Sequence, residues 1–121
     1  MFKIGVLVSG GGSNLQSIID KSKSGELQCK VEVVIGDREC YGVERAKEAG
    51  IDGYTLDRKV LKKELCREID KIVSEKGIDL IVLAGFLSII DEEFVNKWKG
   101  RIINIHPSLL PKFGGPGMYG I

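Results

Sequence analysis

The sequence predicts an α/β fold: a doubly wound, mostly parallel, Rossmann-like sheet with helices on both faces. Two observations predict it. Short apolar runs alternate with stretches of helical apolar spacing, and the connections between them are short. The run IDLIVLA at residues 78–84 is almost continuously apolar, as expected of a central parallel strand that is covered on both faces.

The remaining elements follow in regular alternation. Apolar runs predict further strands at residues 3–8, 31–35, 53–56 and 101–105. Helical spacing predicts a helix after the first strand, a short helix at 41–49 that stops at Gly50, and a helix at 91–100 with acids first and lysines last. The longest predicted helix ends at Gly77 and carries the apolar series Leu61, Leu65, Ile69, Ile72 and Val73.

Composition limits the possible partners. The chain has 121 residues, enough for one core, and 18 basic against 17 acidic residues, which gives no reason to expect nucleic acid or an anionic membrane as partner. Three scattered cysteines and a single histidine argue against a disulfide framework and a metal site. The first apolar stretch is too short for a signal peptide or a membrane span, so we expect a cytoplasmic protein without metal.

A glycine cluster, VSGGGSNLQ at residues 8–16, follows the first strand and opens the first helix. In such sheets ligands bind beyond the carboxyl ends of the strands, and a helix N-terminus favours phosphate. Ser13 or Asn14 is expected to cap the helix. The cluster lacks the lysine of a triphosphate-binding loop, and Leu15 replaces the third glycine of a dinucleotide fingerprint. A small phosphomonoester fits best, and a plain capped turn is the alternative.

Asn104 and His106 end the last predicted strand. Residues two apart on a strand share a face, so the two side chains are expected to converge at the same edge as the glycine cluster. Histidine can move a proton near neutral pH, and an amide can donate to a developing oxyanion. The pair suits attack of an amine on an activated acyl carbon. Equally, both side chains can satisfy backbone groups at a turn fixed by Pro107 and Pro111.

Three segments, SGGGSNLQSIID, LIVLAGFLSII and NIHPSLLPKF, in this order and spacing, resemble the folate-dependent formyltransferases, and within them the phosphoribosylglycinamide formyltransferases. The resemblance implies transfer of a formyl group from the cosubstrate 10-formyltetrahydrofolate to the amine of 5'-phosphoribosylglycinamide in de novo purine biosynthesis. It implies small-molecule partners only. It also implies one domain over residues 1–121, with a phosphate-binding part at 1–100 and a catalytic strand and Gly/Pro-rich tail at 101–121.

The resemblance also assigns roles to residues. It implies that Asn104 and His106 are catalytic, with His106 shuttling the proton and Asn104 steadying the formyl oxygen. Ser88 stands where the family usually carries arginine, so a contact through its backbone is expected there. The implied phosphate site comprises Gly11, Gly12, Ser13 and Asn14. The implied folate site comprises Lys62 (or Lys63), Leu87, Ser88, Ile89, Ile90 and Asn104.

The resemblance further implies that the family fold continues past Ile121 and supplies an aspartate to the histidine, whereas this sequence has no Asp or Glu after Glu93. We therefore expect a fold truncated at its C-terminus, with an exposed face near residues 101–113 that favours self-association. One alternative is a catalytically impaired module that only binds a phosphate or nucleotide. A second is a dinucleotide-binding oxidoreductase domain.

Overall fold

The computed structural model describes residues 2–105 and contains a single five-stranded sheet in that part of the chain. The strands are β1 (Phe2–Val8), β2 (Cys29–Gly36), β3 (Asp52–Thr55), β4 (Leu80–Ala84) and β5 (Ile102–Ile105). The helices are α1 (Ser13–Ser24), α2 (Tyr41–Glu48), α3 (Arg58–Leu61), α4 (Leu65–Glu75) and α5 (Glu92–Lys97). A 3-10 turn, Lys62–Glu64, joins α3 to α4.

The strands lie in the order β3-β2-β1-β4-β5, and each neighbouring pair is parallel. The chain moves outward from β1 in one direction through β2 and β3, and in the other through β4 and β5. The order therefore reverses between β1 and β4, and in open sheets of this kind ligands bind beyond the strand ends at that reversal. The predicted fold class is confirmed.

Helices cover both faces of the sheet, as predicted. Successive strand residues point to opposite sides, so Val6 packs with α1 and α2, whereas Leu7 packs with α4 and α5. Leu15 and Ile19 bury one side of α1, and Ile69 and Val73 bury one side of α4. This two-sided burial is the reason that the inner strands read as apolar runs.

The helix predicted to run without a break through Leu61 and Leu65 is interrupted. Asp57 caps α3 by accepting a hydrogen bond from the N–H of Lys59 at 2.8 Å, and α3 ends at Leu61. Lys62 then adopts φ 47° and ψ −114°, outside the α-helical region, and α4 starts only at Leu65. The prediction of one continuous helix through Leu61 and Leu65 was therefore wrong, because apolar spacing gives no sign of the cap at Asp57 or of the turn at Lys62.

The predicted helix stops at Gly50 and Gly77 are confirmed, since both residues have positive φ, 77° and 65°. The acidic start of α5 is confirmed too: Asp91 caps it by accepting from the N–H of Phe94 at 2.9 Å. Within residues 2–105, no helix is both long enough and apolar enough to cross a membrane.

Candidate functional site

Four strand ends bring the candidate residues to one edge of the sheet. Residues 9–12, called the glycine loop below, follow β1, and Asp37 follows β2. Residues 85–90 follow β4, and Asn104 lies near the end of β5. The glycine loop and residues 85–90 flank the reversal in strand order, where a ligand crevice is expected.

The glycine loop enters α1 through Gly12, which occupies the N-cap position with φ 77° and ψ 30° and without a side-chain cap. Ser13 and Asn14 are the first helical residues, so the prediction that one of them caps α1 was wrong. The physical reason is the close approach of α2. A Cβ atom built on Gly12 would lie 2.7 Å from the Cα atom of Gly42, so glycine alone fits there.

Every carbonyl of the three loop glycines accepts a hydrogen bond. Gly10 O accepts from the N–H of Gly42 at 3.0 Å, and Gly12 O accepts from the N–H of Gln16 at 2.8 Å. Gly11 O accepts from Arg45 Nε at 2.6 Å. Two of these three donors belong to α2. The carbonyl groups are thereby held away from any ligand on the other side of the loop.

Unlike these carbonyls, the backbone N–H groups at the start of α1 are not hydrogen-bonded within the described residues. Those of Gly11, Gly12, Ser13 and Asn14 have no acceptor among the described residues. Free N–H groups in the first turn of a helix, together with the positive end of the helix dipole, form a ready site for an anion. The four residues predicted to hold phosphate are thus contiguous and present their donors together.

Arg45 is a residue that the sequence analysis missed. Its guanidinium lies 4.7 Å from the centre of the Tyr41 ring and also donates to Gln16 Oε1 at 3.2 Å. These contacts hold it against the glycine loop, where it adds a positive charge. Its signal in the sequence was weak, since a basic residue on a short amphipathic helix is ordinarily a solvated one.

A second feature is a cleft of about 250 Å³, called the basic cleft below because three cations line it. Its lining residues are Arg58, Lys62, Lys63, Leu65, Cys66, Ser88, Ile89 and Asp91. The structure thus brings together Lys62, Lys63, Ser88 and Ile89 of the predicted folate site. Arg58 was not foreseen, and one acid, Asp91, accompanies the three cations.

The other predicted folate residues lie outside that lining. Leu87 is 71% exposed, whereas Ile90 is partly buried against the core on the α4 side. Ile89 itself is 88% exposed, so residues 87 and 89 present apolar side chains to solvent at the crevice. The N–H of Leu87 donates to Ser9 Oγ at 2.8 Å, which ties this segment to the start of the glycine loop.

Asp37 is the second residue that the sequence analysis missed. Its side chain is fully buried. Burial raises the pKa of its carboxyl, but hydrogen bonds from Arg38, Ser88 and Ser9, with the positive charge of Arg38, outweigh that effect and leave the pKa below its ordinary value. The carboxyl is therefore ionised at neutral pH. In the sequence, the stretch GDRE indicated only the end of a strand.

Asn104 lies on β5 opposite Leu83 of β4 and is half-buried. Being two residues from Ile102, it shares the sheet face that α4 and α5 cover. His106 lies outside the described residues, as does the Gly/Pro-rich end of the chain, so the pairing of His106 with Asn104 remains a prediction.

Two of the three cysteine thiols, those of Cys29 and Cys66, are not activated as nucleophiles. Burial raises the pKa of both Cys29 and Cys66, which keeps these thiols protonated at neutral pH. Cys66 Sγ instead accepts from the N–H of Asp91 at 3.4 Å and supports one wall of the basic cleft. Within the described part of the chain, no three His, Cys, Asp or Glu side chains are grouped to hold a metal ion.

Comparison with known proteins shows which family has this fold. The family model described as formyl transferase matches residues 2–120 of the chain. The chain belongs to the formyl transferase family. The observed sheet with its crevice at the reversal in strand order is therefore the formyl transferase fold, and the resemblance seen in the three sequence segments is confirmed.

Within the formyl transferase family, the chain is similar to proteins named phosphoribosylglycinamide formyltransferase. The chain is 43% identical over 124 residues to the phosphoribosylglycinamide formyltransferase of Haemophilus influenzae, covering 98% of this chain and 58% of that protein. To the enzyme of the same name from Escherichia coli it is 44% identical over 117 residues, covering 91% of this chain and 53% of that protein. The chain thus spans about half the length of these relatives.

A solved structure shows the same likeness in three dimensions. Glycinamide ribonucleotide transformylase 1 from Symbiobacterium toebii superposes with a TM-score of 0.84 at 40% identity. The superposition covers 93% of this chain and 55% of that one. The division of this chain at residue 100 and the roles of its individual site residues stay predictions.

Proposed function

We propose that this chain forms the phosphate-binding part, and one wall of the folate site, of a phosphoribosylglycinamide formyltransferase. The reaction is transfer of a formyl group from 10-formyltetrahydrofolate to the amine of 5'-phosphoribosylglycinamide, in the cytoplasm and within de novo purine biosynthesis. The observation that carries the proposal is the glycine loop. The carbonyls of its three glycines all accept hydrogen bonds, and the N–H groups of residues 11–14 have no acceptor within residues 2–105, which leaves them to meet a phosphate.

The basic cleft supports the second half of the proposal. Arg58, Lys62 and Lys63 give it a positive charge, which suits the carboxylates of a folate. Leu87 and Ile89 offer exposed apolar surface beside it, which suits a flat ring. The hydrogen bond from the N–H of Leu87 to Ser9 Oγ joins the two candidate binding regions. The folate and the phosphorylated amine would therefore be bound on either side of one crevice.

The proposed chemistry uses the end of β5. The amine nitrogen attacks the formyl carbon, and negative charge develops on the formyl oxygen, to which the Asn104 amide donates a hydrogen bond. His106 accepts the proton that leaves the nitrogen and returns it to the departing folate nitrogen. Collapse of the tetrahedral intermediate breaks the bond between folate and the formyl carbon. Atoms and protons balance without a metal.

The dinucleotide alternative is less well supported. A dinucleotide-binding sheet uses an acidic residue after its second strand to hold the ribose hydroxyls. Asp37 stands at that place, but its side chain is fully buried and bonded to Arg38 and Ser88. Protection of the chain against heat by NAD(P) would nonetheless favour this alternative over ours.

The test uses titration calorimetry and a formyl-transfer assay on the same samples. We expect 5'-phosphoribosylglycinamide to bind the chain. We expect transfer activity in the product of the whole coding region. His106→Ala should reduce transfer at least about a hundredfold with little change in binding of the phosphorylated ligand. Gly12→Ala, which forces the loop and its N–H groups to shift away from Gly42, should weaken that binding at least about tenfold.

The two variants act on different steps, which makes the outcomes distinct. Binding without transfer in any product would support a module that only binds the phosphorylated ligand. Neither binding nor transfer would reject the proposal. Turnover that survives His106→Ala would reject the assigned proton shuttle while leaving the phosphate site intact.

A further inference from the structure

Asp37 connects three strand ends on one side of the crevice. Arg38 Nε and a terminal guanidinium nitrogen donate to its two oxygens at 3.0 and 3.1 Å. The Ser88 hydroxyl donates to Oδ2, and the Ser9 hydroxyl lies close enough to the carboxyl to help lower its pKa. Asp37, Arg38, Ser9 and Ser88, called the Asp37 cluster below, thus join the residues that follow β1, β2 and β4.

The cluster reaches the basic cleft by two routes. Its Ser88 lines the cleft directly. The backbone carbonyl of Asp37 accepts from the N–H of Arg58 at 3.0 Å, and Arg58 also lines the cleft. Two lining residues are therefore anchored on one residue that has no exposed surface of its own.

The same cluster holds the segment after Ser88. Ser9 Oγ accepts the hydrogen bond of the Leu87 N–H at 2.8 Å, and its own hydroxyl proton is then available to the Asp37 carboxyl. Ser9 thus lies between the N–H of Leu87 and the Asp37 carboxyl. The peptide of Leu87, beside the exposed Ile89, is held at a defined distance from the glycine loop.

We propose that Asp37 is a positioning residue for the folate side of the crevice, which sets the distance between residues 87–89, Arg58 and the glycine loop. The inference rests on the proposed function. Asp37 contacts no substrate in this role. It acts through Ser9 and Ser88, and through the backbone N–H of Arg58.

The chemistry requires a carboxylate at this position. A buried ionised oxygen that accepts charge-assisted hydrogen bonds holds its donors more tightly and at shorter distance than a neutral acceptor does. Asparagine has nearly the same shape, but its NH₂ group would face either the guanidinium of Arg38 or the hydroxyl of Ser88. One of those donors would lose its acceptor in a buried place, so the cluster would rearrange.

The test compares Asp37→Asn with Asp70→Asn. Asp70 is also a carboxylate with several donors, since it accepts from Lys97 at 2.8 Å, from Trp98 at 2.9 Å and from Ser74 at 3.2 Å. It lies on α4 and is not among the lining residues of the basic cleft. The two variants make the same chemical change and differ in whether the cluster is affected.

Two measurements distinguish positioning from loss of stability. In Asp37→Asn, we expect 10-formyltetrahydrofolate to bind about tenfold more weakly, while 5'-phosphoribosylglycinamide loses less than about threefold because Gly42 and Arg45 hold the glycine loop separately. Hydrogen exchange at the Leu87 N–H should accelerate about tenfold without ligand, while exchange at Ile81 in the core of β4 follows global stability only. Asp70→Asn should change neither folate affinity nor Leu87 exchange.

A second variant covers the case in which Asp37→Asn does not fold. Ser9→Ala removes the acceptor of the Leu87 N–H without altering the lining of the basic cleft, and we expect the same two changes in milder form. Equal folate affinities in the Asp37 and Asp70 variants, or unchanged Leu87 exchange in both cluster variants, would overturn the inference. If the unsubstituted chain does not bind folate, the proposed function fails and the inference fails with it.

Discussion

Gly12→Ala should destabilise the glycine loop more than Gly→Ala at either of the other two loop glycines. Gly12 has φ 77°, a conformation that L-residues adopt only at a cost. A methyl group there would also lie 2.7 Å from Gly42 Cα and 3.3 Å from Arg45 Cδ. The first contact is with backbone, which cannot turn aside as a side chain can.

The expected loss of stability in Gly12→Ala is the sum of two costs, one from backbone conformation and one from the steric contact. The left-handed conformation costs alanine about 1–2 kcal/mol relative to glycine. Separation of α2 from the loop by several tenths of an ångström is an overpacking change that costs about 1–3 kcal/mol. We expect Gly12→Ala to lower the free energy of unfolding by about 2–5 kcal/mol. Because the loop must shift to relieve the contact, phosphate-ligand affinity should fall at least about tenfold, which is about 1.4 kcal/mol.

Two other glycines serve as matched controls. Gly50 has the same φ of 77° but open space around it, so Gly50→Ala measures the cost of conformation alone. Gly10 has neither positive φ nor a neighbour within 4 Å of an added Cβ, so Gly10→Ala should be close to neutral. Urea unfolding and phosphate titration of the three variants measure both effects. A Gly12 variant no less stable than the Gly50 variant, with unchanged phosphate affinity, would refute the steric argument.

Two further predictions concern the basic cleft and the response to pH. Lys62→Gly should raise the free energy of unfolding by about 1 kcal/mol, because Lys62 is held at φ 47°, and it should weaken folate binding by removing a cation. Lys63→Ala should weaken folate binding without the gain in stability. A Lys62→Gly variant that is less stable than the parent in urea unfolding would show that the backbone at Lys62 is not strained. Since Asp37 and Asp70 both have lowered pKa values, the stability that they contribute is complete above the unfolded-state pKa of about 3.9 and is lost as the pH falls through their lower folded-state values. Urea unfolding between pH 2 and 7 should therefore show a steep loss below about pH 4 that is shallower in Asp37→Asn, and parallel curves for the two proteins would argue against an ionised Asp37.

The strands could be predicted because a strand that is buried on both faces of the sheet has a continuous run of apolar residues in its sequence. Ile81 and Val82 are neighbours in sequence and lie on opposite faces, yet both are buried, so β4 appears as an unbroken apolar run. The approximate position of the candidate site followed from the same reasoning, since parallel strands end at one edge. That reasoning placed the glycine cluster at the edge, whereas the phosphate-binding roles of Gly11, Gly12, Ser13 and Asn14 came from the resemblance and stay predictions.

Most of the missed features depend on contacts between distant parts of the chain. Asp37 is buried because Ser88, 51 positions later, folds over it, and no local pattern carries that information. Ser13 and Asn14 are good capping residues by composition, but the position of Gly42 beside Gly12 determined the cap. Likewise, the break at Lys62 arises where α3 is tied to the end of β2 through the N–H of Arg58, and helical periodicity gives no sign of it.

The single tryptophan of the chain lies on one side of the sheet, so the two sides differ in what tryptophan fluorescence can detect. Trp98 is 3% exposed, with its ring 4.4 Å below the Arg101 guanidinium and its N–H bonded to Asp70. It belongs to the layer formed with α4 and α5, whereas the glycine loop leads into α1 on the other face. We therefore expect indole emission to report mainly on the layer that holds Trp98. If phosphate binds at the glycine loop, the emission should change little, so a flat fluorescence trace would not be evidence against binding.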